Sequence, residues 1–102
     1  VAPLVVAAAT LGKTPDSVAY RSLLVEVQDA KVEATNADAD DGDDFGELLL
    51  AGGLRLDDLL VKWGKDLARP EAGATFSKIR GVLYYSFTAD KLVPRTAADF
   101  VP

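Results

Sequence analysis

The chain has 102 residues, 49% of them hydrophobic and 26% charged, a balance that belongs to a folded domain rather than a disordered chain. Lysine and arginine number 11 against 16 aspartates and glutamates, and the resulting formal charge of -5 repels phosphate backbones, so nucleic acid is not an expected partner. Cysteine and histidine are both absent, which excludes disulfides, thiolate metal sites and every mechanism built on a histidine base or ligand.

The chain begins with an apolar stretch, Val1 to Ala9, VAPLVVAAA, that looks like the end of a processed targeting signal. It is too short to span a bilayer, so no direct membrane span is expected. Gly12 is placed to end a short helix over Leu4 to Leu11, and Thr14-Pro15 reads as an N-cap followed by proline at the first helical position. From Pro15 to about Ala37, Leu23, Val27, Ala30 and Ala34 fall three or four apart, with Tyr20 and Leu24 on the adjoining strip. That spacing predicts an amphipathic helix with Arg21, Glu26, Asp29, Lys31 and Glu33 mostly facing water. The run Asp38 to Asp44 reads as a polar turn. After it Phe45, Leu48, Leu49, Leu56, Leu59, Leu60, Trp63 and Leu67 repeat at helical spacing around a kink at Gly52-Gly53. Pro70, Gly73 and Thr75 break the chain again before a last long helix carrying Phe76, Ile79, Val82, Leu83 and Phe87. Within it, Gly81 to Phe87, GVLYYSF, reads as a strand in isolation, but its flanks favour helix. Pro94 ends that element, and Thr96 caps a short terminal turn carrying Phe100. The expected architecture is all-α: an up-and-down helical bundle of three long helices plus a short N-terminal helix, in a single domain over residues 1–102.

The aspartate-rich turn is the sharpest chemical feature. Asn36, Asp38, Asp40, Asp44 and Glu47 fall at the first, third, fifth, ninth and twelfth places of an EF-hand calcium loop, and all carry oxygen ligands. The sixth place, which requires glycine, is Asp41, and the apolar eighth place is Asp43. The competing reading is a solvated acidic connection that caps the next element. Asp57 and Asp58 point apart on a helix and read as surface groups, whereas a carboxylate-dependent enzyme would show a carboxyl of raised pKa in a cleft. Gly52-Gly53 lacks the lysine and hydroxyl residue of a phosphate loop. Trp63, Phe76, Tyr84, Tyr85 and Phe87 read as core rather than as the lining of a cofactor pocket, and no cofactor is expected. With no catalytic motif, the chain reads as no enzyme. Lys62, Lys65, Arg69, Lys78, Arg80, Lys91 and Arg95 all follow the acidic run, a segregation of charge that would orient a partner protein.

The start VAPLVVAAATLG, three amphipathic segments and the aromatic-basic stretch KWGKDL through FSKIRGVLYYSFTADKL together resemble the PsbQ-like extrinsic proteins of photosystem II. The chain is shorter and more acidic than the plant pattern and lacks its proline-rich N-terminal arm, which points to an algal or divergent member. The resemblance implies a lumenal helical bundle, peripheral to the thylakoid membrane, that docks on the membrane-embedded complex and supports oxygen evolution; it transfers no binding residue. From the residues themselves, the expected function is a non-enzymatic subunit that stabilises a larger protein complex, with Lys78, Arg80, Lys91 and Arg95 beside Tyr84 and Tyr85 as its contact residues. The alternative is a calcium-responsive module built on the 36–47 loop.

Overall fold

The segment Leu24–Ala34, LVEVQDAKVEA, is an eleven-residue strand, β2, in the computed structural model, which describes residues 2–102 apart from the Asp41 side chain. Around it lie β1 (Leu4–Val5), β3 (Leu48–Leu50), β4 (Arg55–Leu56), β5 (Thr75–Ser86), β6 (Ala89–Val93) and β7 (Phe100–Val101), with one α-helix, α1 (Ala8–Leu11). Single 3-10 turns occur at Val18–Tyr20, Ala39–Asp41 and Ala97–Asp99. β2 pairs antiparallel with both β3 and β5, β3 pairs antiparallel with β4, β4 runs parallel to β6, and β6 pairs antiparallel with β5. The sheet therefore closes on itself as a five-stranded barrel in the ring order β2, β3, β4, β6, β5. β1 and β7 extend it as short flanking strands on β2 and β5.

The helical bundle expected from the spacing is not formed. Among the described residues the longest α-helix is the four-residue α1, ended by Gly12, and no helix is long and apolar enough to cross a membrane. Residues 15–37 instead form a turn, a 3-10 turn and β2; residues 45–67 form β3, β4 and irregular chain; and residues 75–87 form β5 and the start of a turn. The reason is visible in β2, where Val25 and Val27 are buried, then Ala30 and Val32. These are two period-two runs offset by one residue at Gln28-Asp29, both exposed, with Asp29 at φ 51°. The slip leaves Val27 and Ala30 three apart, which imitates a helical repeat. In β5 the buried set is Ile79, Gly81 and Leu83. A Cβ on Gly81 would lie 2.6 Å from the Val93 carbonyl oxygen, so the alternation passes through a residue that contributes no apolar side chain.

Two rows of side chains cross the barrel wall. Leu48, Leu56, Leu92 and Leu83 lie in register on successive strands and are fully buried, contributing about 2 kcal/mol each to the core. One residue along each strand, Leu49, Arg55, Lys91 and Tyr84 form the outward row. The long connection between β4 and β5 packs Val61, Trp63 and Leu67 against the core, where the Trp63 and Phe76 rings both meet Phe100 edge-on at 5.9 and 5.5 Å. Trp63 and Phe76 are thus partly buried and packed against the core, whereas Tyr84, Tyr85 and Phe87, also expected there, are exposed. The N-terminal segment is pinned by Asp90, whose buried carboxylate accepts hydrogen bonds from Ser17 Oγ at 2.5 Å and Arg21 Nε at 2.8 Å. The same Arg21 guanidinium lies 3.8 Å above the Tyr85 ring.

Candidate functional site

The outward row forms the floor of a groove. Arg55 on β4, Lys91 on β6 and Tyr84 on β5 are cross-strand neighbours, and two connections rise on either side of them: the 35–47 loop and the two-residue turn Phe87-Thr88 between β5 and β6. Between these walls lies a groove of about 680 Å³, its far side formed by Asp57, Asp58, Leu59 and Lys62 just beyond β4.

The groove floor is ionic and largely self-neutralised. Arg55 Nη1 donates to Asp38 Oδ1 at 2.7 Å and to Glu47 Oε1 at 3.1 Å, while Lys91 Nζ donates to Glu47 Oε2 at 2.9 Å. Lys91 and Glu47 retain only 5% and 8% of their side-chain exposure, so the pair is held in a low-dielectric setting where removing either partner is costly. Hydrogen bonding to Asp38 holds the Arg55 guanidinium above its ordinary pKa. The Asp57 carboxyl is pushed above its ordinary value first by burial and then by the neighbouring Glu47 charge, with Lys91 opposing. The Asp58 carboxylate lies against Gly46, whose φ of 80° favours glycine and whose Cβ, if present, would lie 2.4 Å from Asp58 Oδ1. The Gly46 carbonyl accepts a 2.7 Å hydrogen bond from Trp63 Nε1, tying the loop to the barrel's packed end.

The rim is apolar. Phe45 and Phe87 are 64% and 93% exposed, and Leu59 and Tyr84 are half-exposed beside them. Phe87 and Thr88 both take positive φ, 50° and 63°, in a hairpin turn that Asn-Gly would normally fill. A bulky and a β-branched residue in that conformation are strained by about 1–2 kcal/mol each. The Phe87 ring gains little burial in return; Lys91 Nζ lies 5.3 Å from the ring centroid.

The proposed calcium ligands are not gathered into a cage. Asn36 caps its own turn, its Oδ1 accepting from the Asp38 amide at 2.9 Å and its Nδ2 donating to the Asp43 carbonyl. Asp38 and Glu47 pair with Arg55 and Lys91, Asp40 is exposed, and Asp44 pairs with Arg69 at 2.9 Å. Hydrogen bonds from Arg69 and then from the Gly46 amide hold the Asp44 carboxyl below its ordinary range. Among the described residues no group of three acidic side chains is arranged to hold a metal ion.

The six expected contact residues are dispersed as well. Arg80 pairs with Glu26 and Arg95 with Asp99, both at 2.8 Å; Lys78 lies two residues before Arg80 on β5; and Tyr85 stacks on Arg21. Tyr84 and Lys91 line the groove, but Lys91 is buried in its ion pair. Sequence reasoning missed Phe45, Arg55 and Phe87 as groove residues. The available signal was Ser86-Phe87-Thr88-Ala89, two residues joining runs that pair as a hairpin, with none of the usual turn formers between them.

No protein-family model, curated protein or solved structure matches this chain. The photosystem II expectation drew on three amphipathic helices, and with those absent its architectural basis is gone.

Proposed function

We propose that this chain is a non-enzymatic binding module that docks on a larger assembly through the groove between the 35–47 loop and the Phe87-Thr88 turn. The observation that carries this reading is Phe87: a 93% exposed aromatic ring on a strained turn at the rim of the groove, at a position where folding alone favours other residues. Architecture adds weight by analogy. Five-stranded Greek-key barrels that bind oligonucleotides and oligosaccharides use the face of their second and third strands and the loops joining the first to the second and the fourth to the fifth. Counting β2 to β6 as first to fifth, the groove here lies between the two corresponding loops, with the third strand contributing Arg55 to its floor beside Tyr84 and Lys91 of the fourth and fifth. The acidic net charge argues against a nucleic acid in it.

The test is a screen of immobilised peptides and neutral oligosaccharides against the native chain and a Phe45→Ser, Phe87→Ser variant. Both rings are exposed, so the variant keeps its fold; every ligand held by the native chain should be lost. Ligands retained equally by both proteins, or no ligand at all, would refute the assignment. A carboxylate-dependent enzyme is a second reading that draws on the raised Asp57 carboxyl in the groove. It requires that Asp57→Asn abolish a turnover, whereas the docking reading requires only a change in binding.

A further inference from the structure

We infer that the groove receives a cationic side chain, an arginine or lysine on an extended segment of a partner protein. This deepens the docking assignment and rests on it. The walls carry four carboxylates, Asp38, Glu47, Asp57 and Asp58, against three cations, Arg55, Lys62 and Lys91. Arg55 and Lys91 are already engaged with Asp38 and Glu47. Among the described residues no cation lies within ion-pair distance of Asp57 or Asp58, and both are half-buried on one wall. A second, independent observation comes from Asp38. Its side chain is 10% exposed and its Oδ1 is taken by Arg55, yet Oδ2 is buried with no hydrogen-bond donor among the described residues. A buried acceptor without a donor costs about 1–3 kcal/mol, so such atoms are rare unless something else supplies the donor.

The groove thus carries one carboxylate more than it has cations, and one buried Asp38 oxygen without a donor among the described residues. A guanidinium or ammonium group brings both missing quantities at once, whereas an anion would meet Asp57 and Asp58 and the chain's -5 charge. The rim suits the same ligand, because Phe45, Tyr84 and Phe87 offer aromatic faces to a cation and to the methylene stem that carries it. An extended segment fits the open groove between two loop walls better than a compact domain surface does.

The deciding experiment is an amide-shift NMR titration of the full chain to millimolar ligand. Three probes are used: the peptide acetyl-Gly-Arg-Gly-Arg-Gly-amide, its counterpart with citrulline in place of arginine, and cellotetraose. The arginine peptide is expected to bind with shifts at residues 45–47, 55–62 and 84–91. The citrulline peptide, and the arginine peptide on an Asp57→Asn, Asp58→Asn variant, should each bind at least tenfold more weakly, with thermal unfolding confirming that the variant is folded. If citrulline peptide or cellotetraose binds as tightly, is lost with Phe87→Ser and is unaffected by the aspartate changes, the groove is the contact face and the cationic ligand is wrong. If no probe shifts the groove, or Phe45→Ser with Phe87→Ser leaves binding intact, both assignments fall.

Discussion

Replacing the hairpin turn by the pair its backbone favours, Phe87→Asn with Thr88→Gly, is expected to stabilise the protein while disabling it. Phe87 and Thr88 sit at φ 50° and 63°. Left-handed conformation costs an ordinary L-residue about 1–2 kcal/mol, and asparagine and glycine avoid most of that. Three losses offset the gain. Glycine adds about 0.5–1 kcal/mol of unfolded-chain entropy, the Lys91–Phe87 contact at 5.3 Å is worth about 0.5 kcal/mol at an exposed site, and the hydrogen bond that Thr88 Oγ1 donates to the Phe87 carbonyl at 2.6 Å is worth about 0.5 kcal/mol. No burial is forfeited, because the ring is 93% exposed. The net expectation is a gain of about 1 kcal/mol, or roughly 4–8 °C in Tm for a domain of this size. Urea unfolding followed by circular dichroism, run beside a thermal melt, measures it. A variant that is less stable than the native chain would show that the turn is not strained, and the reason for assigning Phe87 to a partner would go with it.

Other perturbations read different parts of the site. Lys91→Met breaks a buried ion pair but leaves Glu47 with Arg55 at 3.1 Å, so about 2–3 kcal/mol of stability should be lost with an unchanged urea m-value. Asp57 has a raised carboxyl pKa in the folded state, so folding favours its protonated form; that contribution is present below the unfolded value of about 4 and is lost as pH rises through the folded one. Asp57→Asn should therefore be more stable than the native chain at pH 7, with the difference closing toward pH 4. For Asp90 burial alone would raise the carboxyl, but hydrogen bonds from Arg21 and Ser17 outweigh it and the net shift is downward. Its contribution is present above about pH 4 and is lost as pH falls through the depressed folded value, so Asp90→Asn should flatten the acid limb of the stability curve.

The punctuation of the chain was legible and its periodicity was not. Gly12 ends α1, Pro94 follows β6, and Thr96 precedes the 3-10 turn at Ala97–Asp99 without a side-chain cap hydrogen bond, whereas Thr14-Pro15 lies in a turn and Thr75 opens β5, so neither starts a helix. GVLYYSF, strand-like in isolation, does lie in β5 up to Ser86. What misled was the phase slip at Asp29 and the inward Gly81, each of which turns a period of two into an apparent period of three or four. Three valines in eleven residues would be a better guide to β2 than their spacing, because β-branched side chains suit a pleated surface. The groove was less visible still. Phe45, Arg55 and Phe87 come from three segments that meet only because β4 runs parallel to β6 and closes the ring, and no local pattern announces a pairing between residues 36 positions apart such as Arg55 and Lys91. The acidic run drew attention as a cation cage. Two of its carboxylates, Asp38 and Asp44, pair with Arg55 and Arg69, and Glu47 just beyond the run pairs with Lys91, while Asp40 and Asp43 are exposed.

The contact face is tested most directly by site-specific photo-crosslinking in the native cell. The aromatic crosslinker p-benzoylphenylalanine is placed at position 87, at position 45, or at position 18, an exposed site that does not line the groove. Positions 87 and 45 should capture the same discrete protein and position 18 should not. Capture of that protein from position 18 with none from 87 or 45 would place the contact face elsewhere on the barrel.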